Sequence, residues 1–408
     1  MTTAGPEPLW DPSASAGPRV DSIPSSRVLL VGCGAIGTVI ARQLAQSPCI
    51  GQLVLTDIDP HRAQIVAAST DRRTVHAQPL DGGDPQAVAN ALENVEVVVN
   101  CSVPRLNAPI QRAALAAGAH YLDLAADSVD PYHDSAAWIE AGRTALIGMG
   151  EDPGLSNLMA RHAADGLERV ESVRVRDGDT ASSVDHPFLA LFSPETFIEE
   201  TLHASRIFED GVYRDVPPFG EREVYTFPSP LGDLPVYSVD HEEVDSLPRF
   251  LGKGVAYVDF KLALDDPTVR ALQLFQSLKI VGPDAAANPE LRRAILAAIP
   301  RPADLTGRVE GYAALMVEVV GEAKGRRKEH TLFTLMRHRD ASAQHGATAT
   351  AYLTGTPAAI AVELLASGSL STRGILAPEM LDPALFFPKL RERGIVIQER
   401  VTWQGTVN

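Results

Sequence analysis

Cysteine is scarce in this chain of 408 residues, which limits the kinds of site the chain can hold. Its three cysteines, Cys33, Cys49 and Cys101, are odd in number and show no C-x-x-C spacing. We therefore expect neither a disulfide framework nor a structural zinc site, and the composition fits a reducing cytoplasm. The scattered histidines show no paired metal spacing either, so we expect no metal ion.

Long apolar runs and an excess of positive charge are also missing. No uninterrupted apolar stretch approaches the roughly 20 residues of a membrane-spanning helix, and no basic stretch precedes an apolar core at the N-terminus. The chain has 36 Lys and Arg against 52 Asp and Glu, a formal net charge of −16. We therefore expect no membrane and no nucleic-acid partner, whereas this charge is compatible with a cationic substrate.

A glycine-rich turn between a strand and a helix is the most informative segment. Arg27–Val31 predicts a short buried strand, and the sequence GCGAIG follows at positions 32–37. Gly32 permits a tight turn, Gly34 lets the backbone approach a pyrophosphate, and Gly37 lets the next helix pack closely on the strand. The free N–H groups of that helix would face the phosphates. The pattern predicts dinucleotide binding; the alternative is a glycine-rich turn in another α/β protein.

An acidic residue ends the second predicted strand. Gln52–Thr56 predicts that strand, and Asp57 stands twenty residues after Gly37. A carboxylate there accepts hydrogen bonds from ribose hydroxyls and repels a 2′-phosphate, so we expect NAD(H) to be favoured. NADP(H) stays possible because His61 and Arg62 lie just downstream and could reach a phosphate. Alternatively, both residues are solvated on the first turn of the next helix.

The order of predicted elements indicates the fold class. Strands and helices alternate from Arg27 to about Gly150, which predicts an α/β, Rossmann-type domain with a doubly wound parallel sheet. Beyond Gly150 the strands are longer and alternate in polarity, which favours an α+β domain with a mainly antiparallel sheet. Residues 1–25 are rich in Pro, Gly, Ser and Ala and lack periodicity, so they are interpreted as a flexible arm.

Within the second domain we predict helices, one loop and one turn. Arg214–Pro235 is rich in Pro, Gly and aromatic residues, so we predict a loop with little regular structure. The basic run Lys324–Lys328 lies between two predicted strands, and a solvated hairpin turn explains it better than a phosphate site. Helices are predicted at Ser156–Gly166, Pro194–Ser205, Pro267–Leu278 and Pro289–Ala298.

Several segments together resemble the saccharopine dehydrogenase-like family. They are the turn at 32–37, Asn100–Pro104, Ala116–Leu124 and Gly150–Asn157, the last of which is similar to that family's Asp-Pro-Gly loop. Toward the C-terminus Thr354–Ile360, Gly368, Arg373-Gly374 and Ala377–Glu379 resemble its terminal helix-and-turn signature. These motifs extend over most of the chain and indicate the family without identifying the member.

The resemblance implies both domain organisation and activity. Segment 346–408 would return to the nucleotide domain at 26–150, and 151–345 would be an inserted substrate and dimerisation domain. A cleft between the domains would hold nicotinamide and substrate, and a homodimer is expected. The implied activity is that of an NAD(P)-dependent oxidoreductase acting on the C–N bond of an amino acid or polyamine derivative, by oxidative deamination or imine reduction.

Candidate cofactor-binding residues follow the ends of the predicted parallel strands. Cys101 is interpreted as a small residue packed beside the cofactor rather than a nucleophile, because no basic partner accompanies it in the sequence. The full set is Gly32, Gly34, Ala35, Ile36, Gly37, Asp57, Ile58, Asp81, Cys101, Ser102, Val103 and Ala125.

The second domain supplies a candidate proton carrier. Tyr237–Pro248 resembles the family's His-x-Glu-type segment before a Leu-Pro turn. His241 could move a proton, because the pKa of histidine lies near working pH. Glu242 or Glu243 could anchor a substrate ammonium, and the alternative is a solvated acidic turn.

Loop residues near the predicted sheet edge add further candidates. Asp127 and Asp152 are candidate catalytic groups, whereas Glu151 and Gly154 are candidate substrate contacts. Asp152 could instead cap the helix that starts near Gly154. The acidic segment 240–245 favours an amine substrate. Two alternative functions are an enoyl-type reductase of a lipid or secondary metabolite and a non-catalytic NAD(H)-sensing protein.

Overall fold

The structure of the protein is a computed structural model that describes residues 26–70, 72–125, 130–280 and 288–403. The chain divides into two units. Unit 1 holds the chain up to Gly150 and Thr356–Pro378, and unit 2 holds Glu151–Gly355 and the chain from Glu379. The predicted return segment 346–408 is thus divided: Thr356–Pro378 lies in unit 1 and the rest in unit 2. The predicted arm, residues 1–25, lies outside the described residues.

Unit 1 contains a seven-stranded parallel sheet. Its strands are β1 (Arg27–Val31), β2 (Gln52–Asp57), β3 (Val75–Pro79), β4 (Val97–Asn100), β5 (His120–Asp123), β6 (Thr144–Leu146) and β16 (Gly374–Leu376). Their order is β16-β6-β5-β4-β1-β2-β3, which confirms the doubly wound prediction. Val28–Leu30 and Val97–Val99 are fully buried, and such continuous apolar runs suit the central strands of a sheet covered on both faces.

Short helices join these strands. They are α1 (Ala35–Gln46), α2 (Pro60–Ala68), α3 (Pro85–Ala91), α4 (Asn107–Ala116) and α5 (Ser135–Glu140). Asp59 begins α2 by accepting a hydrogen bond from the His61 N–H at 3.0 Å, and Asp84 begins α3 in the same way from Gln86 at 2.9 Å. Proline in the first turn of both helices carries no N–H to leave unpaired.

Within the part of the chain that the structure describes, one helix is long and apolar enough to cross a membrane by length and composition alone. It is α12 (Ala349–Ala366), which has 18 residues. Inside the protein 89% of it is buried, which is the usual situation of a core helix.

Unit 2 contains a ten-stranded mixed sheet. Its strands are β7 (Arg169–Asp177), β8 (Thr180–Ser182), β9 (Ser205–Glu209), β10 (Val212–Val216), β11 (Glu223–Phe227), β12 (Gly232–Ser238), β13 (Tyr257–Ala263), β14 (Glu310–Ala323), β15 (Arg326–Arg337) and β17 (Gln398–Trp403). The main path runs β10-β9-β13-β7-β14-β15-β17, with β8, β11 and β12 paired beside it. Among the described strands of this second sheet, only β7 and β13 pair in parallel. The sheet is therefore mainly antiparallel, as predicted.

The helices of unit 2 are α6 (Leu155–Asp165), α7 (Pro194–Leu202), α8 (Glu243–Phe250), α9 (Asp266–Ser277), α10 (Pro289–Ala298), α11 (His338–His345) and α13 (Phe387–Glu392). The four predicted helices correspond to α6, α7, α9 and α10. The predicted hairpin turn is also confirmed: Lys324 and Gly325, with φ of +52° and +66°, join β14 to β15.

The predicted loop at Arg214–Pro235 is wrong. This segment contributes the end of β10, all of β11 and the start of β12, with β11 and β12 paired antiparallel. Four of its prolines fall between the strands, where no ladder hydrogen bond is lost. The fifth, Pro235, lies in β12 and uses its carbonyl to accept a hydrogen bond from the Leu264 N–H at 3.2 Å.

Candidate active site

The glycine turn of unit 1 is held by close backbone contacts. Gly32 has φ of +97°, and a Cβ added to it would lie 2.6 Å from the backbone oxygen of Cys101. A Cβ on Gly37 would lie 2.0 Å from the backbone oxygen of Gly32. Both positions therefore require glycine for packing alone.

Gly34 differs from Gly32 and Gly37, because a Cβ there would meet no atom of the described residues within 4 Å. It is the N-cap residue of α1, which has no side-chain cap and no acidic residue in its first turn. The first residues of this helix are Ala35 and Ile36. The open space in front of its N-terminus suits an anionic group. The turn therefore fits the pyrophosphate of a dinucleotide.

Asp57 joins the glycine turn to the loop after β2. Its Oδ2 accepts a hydrogen bond from the Cys33 N–H at 2.8 Å, and its Oδ1 accepts one from the Asp59 N–H at 2.9 Å. The next residue, Ile58, is 73% exposed. Arg62 lies in α2, where its Nε is 3.4 Å from the Asp59 carboxylate and its side chain is 42% exposed.

A polar network lies at the ends of β4 and β5. The Asn100 side chain accepts a hydrogen bond from the Ser102 N–H at 3.1 Å and donates to the Asn107 Oδ1 at 2.7 Å. Tyr121 donates to Asp123 Oδ2 at 3.0 Å. The strand end and the loop after it, which includes Val103, are thereby fixed by side chains of neighbouring elements.

Cys101 lies in this loop, where its N–H donates to the Val31 carbonyl at 2.8 Å. Burial raises the pKa of its thiol, and the nearby Cys33 and Asp123 raise it further. Burial and the Asp57 carboxylate likewise raise the pKa of Cys33 to about 12. Because a nucleophilic cysteine needs a lowered pKa, the geometry agrees with a packing role for Cys101.

The other cofactor candidates have local backbone partners. The Asp81 side chain accepts a hydrogen bond from the Gly83 N–H at 2.9 Å. The Ala125 carbonyl accepts one from the Asn107 side chain. Asp127, predicted as a catalytic candidate, lies outside the described residues.

Unit 2 gathers carboxyl groups from distant parts of the sequence into what we call the acidic cluster. Burial raises the pKa of Asp177 to about 6, of Glu379 to about 7 and of Glu200 to about 8. Burial, with repulsion from neighbouring carboxylates, also raises the pKa of Glu151 and Asp152 well above the usual range. The members are Glu151, Asp152, Asp177, Asp179, Glu200, Glu243 and Glu379.

Two oxygen atoms of this cluster, Asp152 Oδ2 and Glu379 Oε1, are buried and have no hydrogen-bond partner among the described residues. The Glu379 residue has no exposed surface. Asp152 does not cap α6, as one alternative held: the N-cap residue is Gly154, whose N–H donates to the Asn157 side chain at 2.8 Å. A buried acceptor left unpaired costs free energy, so both oxygens suit a ligand that brings N–H donors.

His241 lies beside the cluster in a fixed environment. Its Nδ1 is 2.5 Å from Glu243 Oε2, and Glu243 Oε1 accepts a hydrogen bond from the Ser156 hydroxyl at 2.6 Å. Glu243 is fully buried at the start of α8, so the alternative of a solvated acidic turn is wrong for this residue. The Glu242 side chain is 27% exposed, and its Oε2 lies 3.8 Å from His241 Nδ1.

The charge state of His241 follows from its neighbours. Burial alone would lower the pKa of the imidazole, but the carboxylates of Glu243, Glu242 and Glu200 raise it to about 10. At neutral pH the ring is therefore an imidazolium with two N–H donors. The ligand atoms of His241, Glu242 and Glu243 lie within 4.8 Å of one another, a spacing open to a metal ion.

Sequence reasoning missed several residues of the cluster. Asp177 and Asp179 flank a glycine directly after a predicted strand, a signal that could have found them. Glu379 belongs to the segment Ala377–Glu379, which indicated the family but was not considered as part of a site. Glu200 lies in the last turn of α7 beside Glu199, and nothing in its local sequence separates it from the other acidic residues of this helix.

Comparisons with known proteins agree with this geometry. Residues 28–146 match the family model described as the saccharopine dehydrogenase NADP binding domain, and residues 150–395 match the saccharopine dehydrogenase C-terminal domain. The apo saccharopine dehydrogenase (L-Glu forming) of Saccharomyces cerevisiae superposes with a TM-score of 0.72 at 16% identity, covering 93% of this chain and all of that one. That likeness shows the fold.

Two curated relatives extend over almost the whole chain. Carboxyaminopropylagmatine dehydrogenase of Synechocystis sp. is 25% identical over 402 residues, which cover 94% of this chain and 98% of the relative. Carboxynorspermidine synthase of Vibrio alginolyticus is 23% identical over 402 residues, which cover 90% of this chain and 95% of the relative. The names of both relatives refer to carboxylated amines.

Proposed function

The chain belongs to the saccharopine dehydrogenase family and is a nicotinamide-dependent oxidoreductase acting on carbon–nitrogen bonds, and we propose that its substrate is a cationic amine conjugate. Such a substrate carries a protonated amine or guanidinium at a distance from the reacting nitrogen. The substrates named in its two curated relatives support this class.

The acidic cluster of unit 2 carries the proposal. Three of its seven carboxyl groups, those of Glu151, Glu243 and Glu379, are buried, and the other four are partly buried. The oxygens of Asp152 and Glu379 that lack partners would accept hydrogen bonds from an ammonium or guanidinium. Charge-assisted hydrogen bonds of this kind offset the cost of burying the carboxylates. An anionic substrate would meet repulsion at the same place.

A saccharopine-like substrate with several carboxylates fits less well. It would need arginines with guanidinium groups to spare. In unit 2 Arg161 already binds the Asp165 carboxylate at 2.8 Å and the Glu379 carbonyl at 3.0 Å, and Arg176 binds Asp259 at 2.8 Å. Both are committed to partners within the protein.

The proposed reaction interconverts an imine and an amine. Reduction adds a hydride to the imine carbon and a proton to the nitrogen, so that C=N becomes CH–NH. Bound nicotinamide cofactor supplies the hydride in this direction and accepts it in the reverse one. His241 supplies the proton, and the acidic cluster binds and orients the distal cation.

We propose that NAD(H) is preferred over NADP(H). The Asp57 carboxylate is held in place by the amides of Cys33 and Asp59, so it cannot move away from a 2′-phosphate at small cost. Ile58, which is largely exposed beside it, would cover the adenine ring. We also propose a cytoplasmic homodimer, for which the exposed edge strand β17 with Val401 and Trp403 offers an apolar surface.

The test is a two-directional activity screen with matched amines. Purified protein would be incubated with NAD(P)H, an aldehyde bearing a carboxylate, and 1,3-diaminopropane, agmatine or propylamine. The reverse assay would use the amine conjugates with NAD⁺ or NADP⁺. We expect kcat/KM for the two cationic amines to exceed that for propylamine by roughly 10- to 100-fold, the value of one charge-assisted hydrogen bond.

Variants test whether the preference for cationic amines depends on the acidic cluster. Asp152→Asn should raise KM for 1,3-diaminopropane and leave KM for propylamine nearly unchanged. Asp165→Asn, which alters a carboxylate outside the cluster at the end of α6, serves as the control. Silence across all amines with cofactor binding intact would overturn the proposal and favour the lipid-reductase or NAD(H)-sensing function.

A further inference from the structure

We propose that Ser156 and Glu243 are positioning residues that hold the His241 imidazolium for proton transfer through its Nε2–H. This inference rests on the proposed function in giving His241 the proton-transfer role. It assigns to Glu243 a task different from the one predicted, which was to anchor a substrate ammonium.

Both carboxylate oxygens of Glu243 are already engaged. Oε1 accepts the Ser156 hydroxyl at 2.6 Å, and Oε2 lies 2.5 Å from His241 Nδ1. Ser156 and Glu243 have no exposed surface. A substrate ammonium would have to displace one of these partners to bind Glu243, whereas Asp152 and Glu379 each have a free acceptor oxygen.

Three separate elements fix the histidine. Ser156 lies in the first turn of α6, Glu243 is the first residue of α8, and Phe260 of β13 packs on the imidazole ring with centroids 3.6 Å apart. Glu243 stands at the N-terminus of α8, where the partial positive charge of the helix attracts a carboxylate. With Nδ1 bonded to Glu243 and one ring face covered, Nε2 is the nitrogen left for proton exchange.

The charges around the ring keep it protonated. Glu243 and Glu242 act on it from its own segment, Glu200 from α7 and Asp177 from β7. Glu243 is the nearest of these and is buried, so its charge is the least screened. Proton transfer from Nε2 to the substrate nitrogen leaves neutral imidazole, and solvent returns the proton after product leaves.

Titration of the His241 imidazole by NMR tests this arrangement without requiring turnover. The His241→Gln spectrum identifies the resonance. In Glu243→Gln we expect the imidazole midpoint to fall by roughly two pH units or more, because the nearest buried charge is removed. Ser156→Ala should lower it by less, and Ser156→Thr, which keeps a hydroxyl, should restore it. Glu199→Gln, on the same helix as Glu200 but paired with Arg292, should leave it unchanged.

Kinetics separate positioning from anchoring. With 1,3-diaminopropane as the amine, Glu243→Gln should reduce kcat about 10- to 100-fold and shift the alkaline limb of the kcat profile toward neutral pH, with KM changed less than about threefold. A raised KM with kcat and the imidazole titration unchanged would overturn the inference. If no amine is turned over, the proposed function fails, and the NMR titrations of Glu243→Gln and Ser156→Ala still decide the positioning role.

Discussion

The imidazole of His241 lies flat on the phenyl ring of Phe260, with the ring centroids 3.6 Å apart and the planes 5° from parallel. Phe260 is 1% exposed and belongs to β13, which pairs with three neighbouring strands. The catalytic candidate therefore packs on a strand that is hydrogen-bonded within the sheet of unit 2. The face of an aromatic ring attracts a cation, so the contact also favours the protonated imidazole.

Replacing Phe260 by Leu should loosen this contact without opening a large cavity. We expect kcat to fall several-fold and the His241 midpoint in an NMR titration to fall slightly, because the cation loses the aromatic face. Thermal denaturation should show a loss of about 1–2 kcal/mol in the free energy of unfolding. Phe208→Leu, which alters an aromatic pair with Tyr213 in the same sheet, serves as the control. An unchanged kcat and midpoint would contradict this prediction.

The two glycines of the dinucleotide turn should respond differently to alanine. Gly32→Ala forces a Cβ to within 2.6 Å of a backbone oxygen at φ of +97°, so we expect a loss of about 2 kcal/mol or more in stability. Gly34→Ala meets no protein atom within 4 Å and should leave the denaturation temperature unchanged. It should still weaken NADH binding at least about tenfold, measured by fluorescence titration, because the methyl group occupies the space assigned to a phosphate. Equal NADH affinity in Gly34→Ala would remove the pyrophosphate from this turn.

Asp57 should control the choice of cofactor. In Asp57→Asn the side chain can still accept a hydrogen bond from the Cys33 N–H but no longer repels a 2′-phosphate. We expect the ratio of Kd for NADPH to Kd for NADH to fall roughly tenfold, the effect of one charge-dependent contact. Asp59→Asn, at the cap of α2, is the matched control. A ratio that stays constant would show that Asp57 only stabilises the turn.

The acidic cluster should make the unliganded protein less stable as the pH rises. Burial raises the pKa of Glu200 from an ordinary 4.5 to about 8, so the unfolded chain releases its proton first and stability is lost between these values. The raised pKa of His241, about 10 against 6.5, acts in the same direction at higher pH. Denaturation temperatures measured from pH 5 to 9 should therefore decline.

Glu200→Gln isolates one contribution to that decline. It removes the ionisable group, so we expect a higher denaturation temperature than wild type at pH 8 and a shallower slope between pH 5 and 8. Glu199→Gln changes the neighbouring carboxylate, which is 42% exposed and binds Arg292, and should leave the slope unchanged. If the slope of Glu200→Gln equals that of wild type, Glu200 is ionised in the folded protein.

Much of unit 1 could be predicted from local sequence. The alternation of apolar runs with helices specifies a parallel sheet, and a turn that leaves no space for a Cβ at Gly32 and Gly37 requires glycine at those positions. Secondary structure was predicted wrongly at Arg214–Pro235, where a high proline content suggested a loop. The segment contains strands, because its prolines fall mostly between them.

The sequence alone was enough to indicate the family, the dinucleotide turn and the acidic character of the chain. Each of these depends on residues close together in the sequence or on the overall count of charged residues. Only the tertiary structure brought Asp152, Asp177, Glu200, Glu243 and Glu379 together from five separate segments. Burial and charge–charge energies depend on distance in space and not on sequence separation. For that reason Glu243 was predicted as a substrate anchor, whereas its contacts with Ser156 and His241 support the positioning role that we propose.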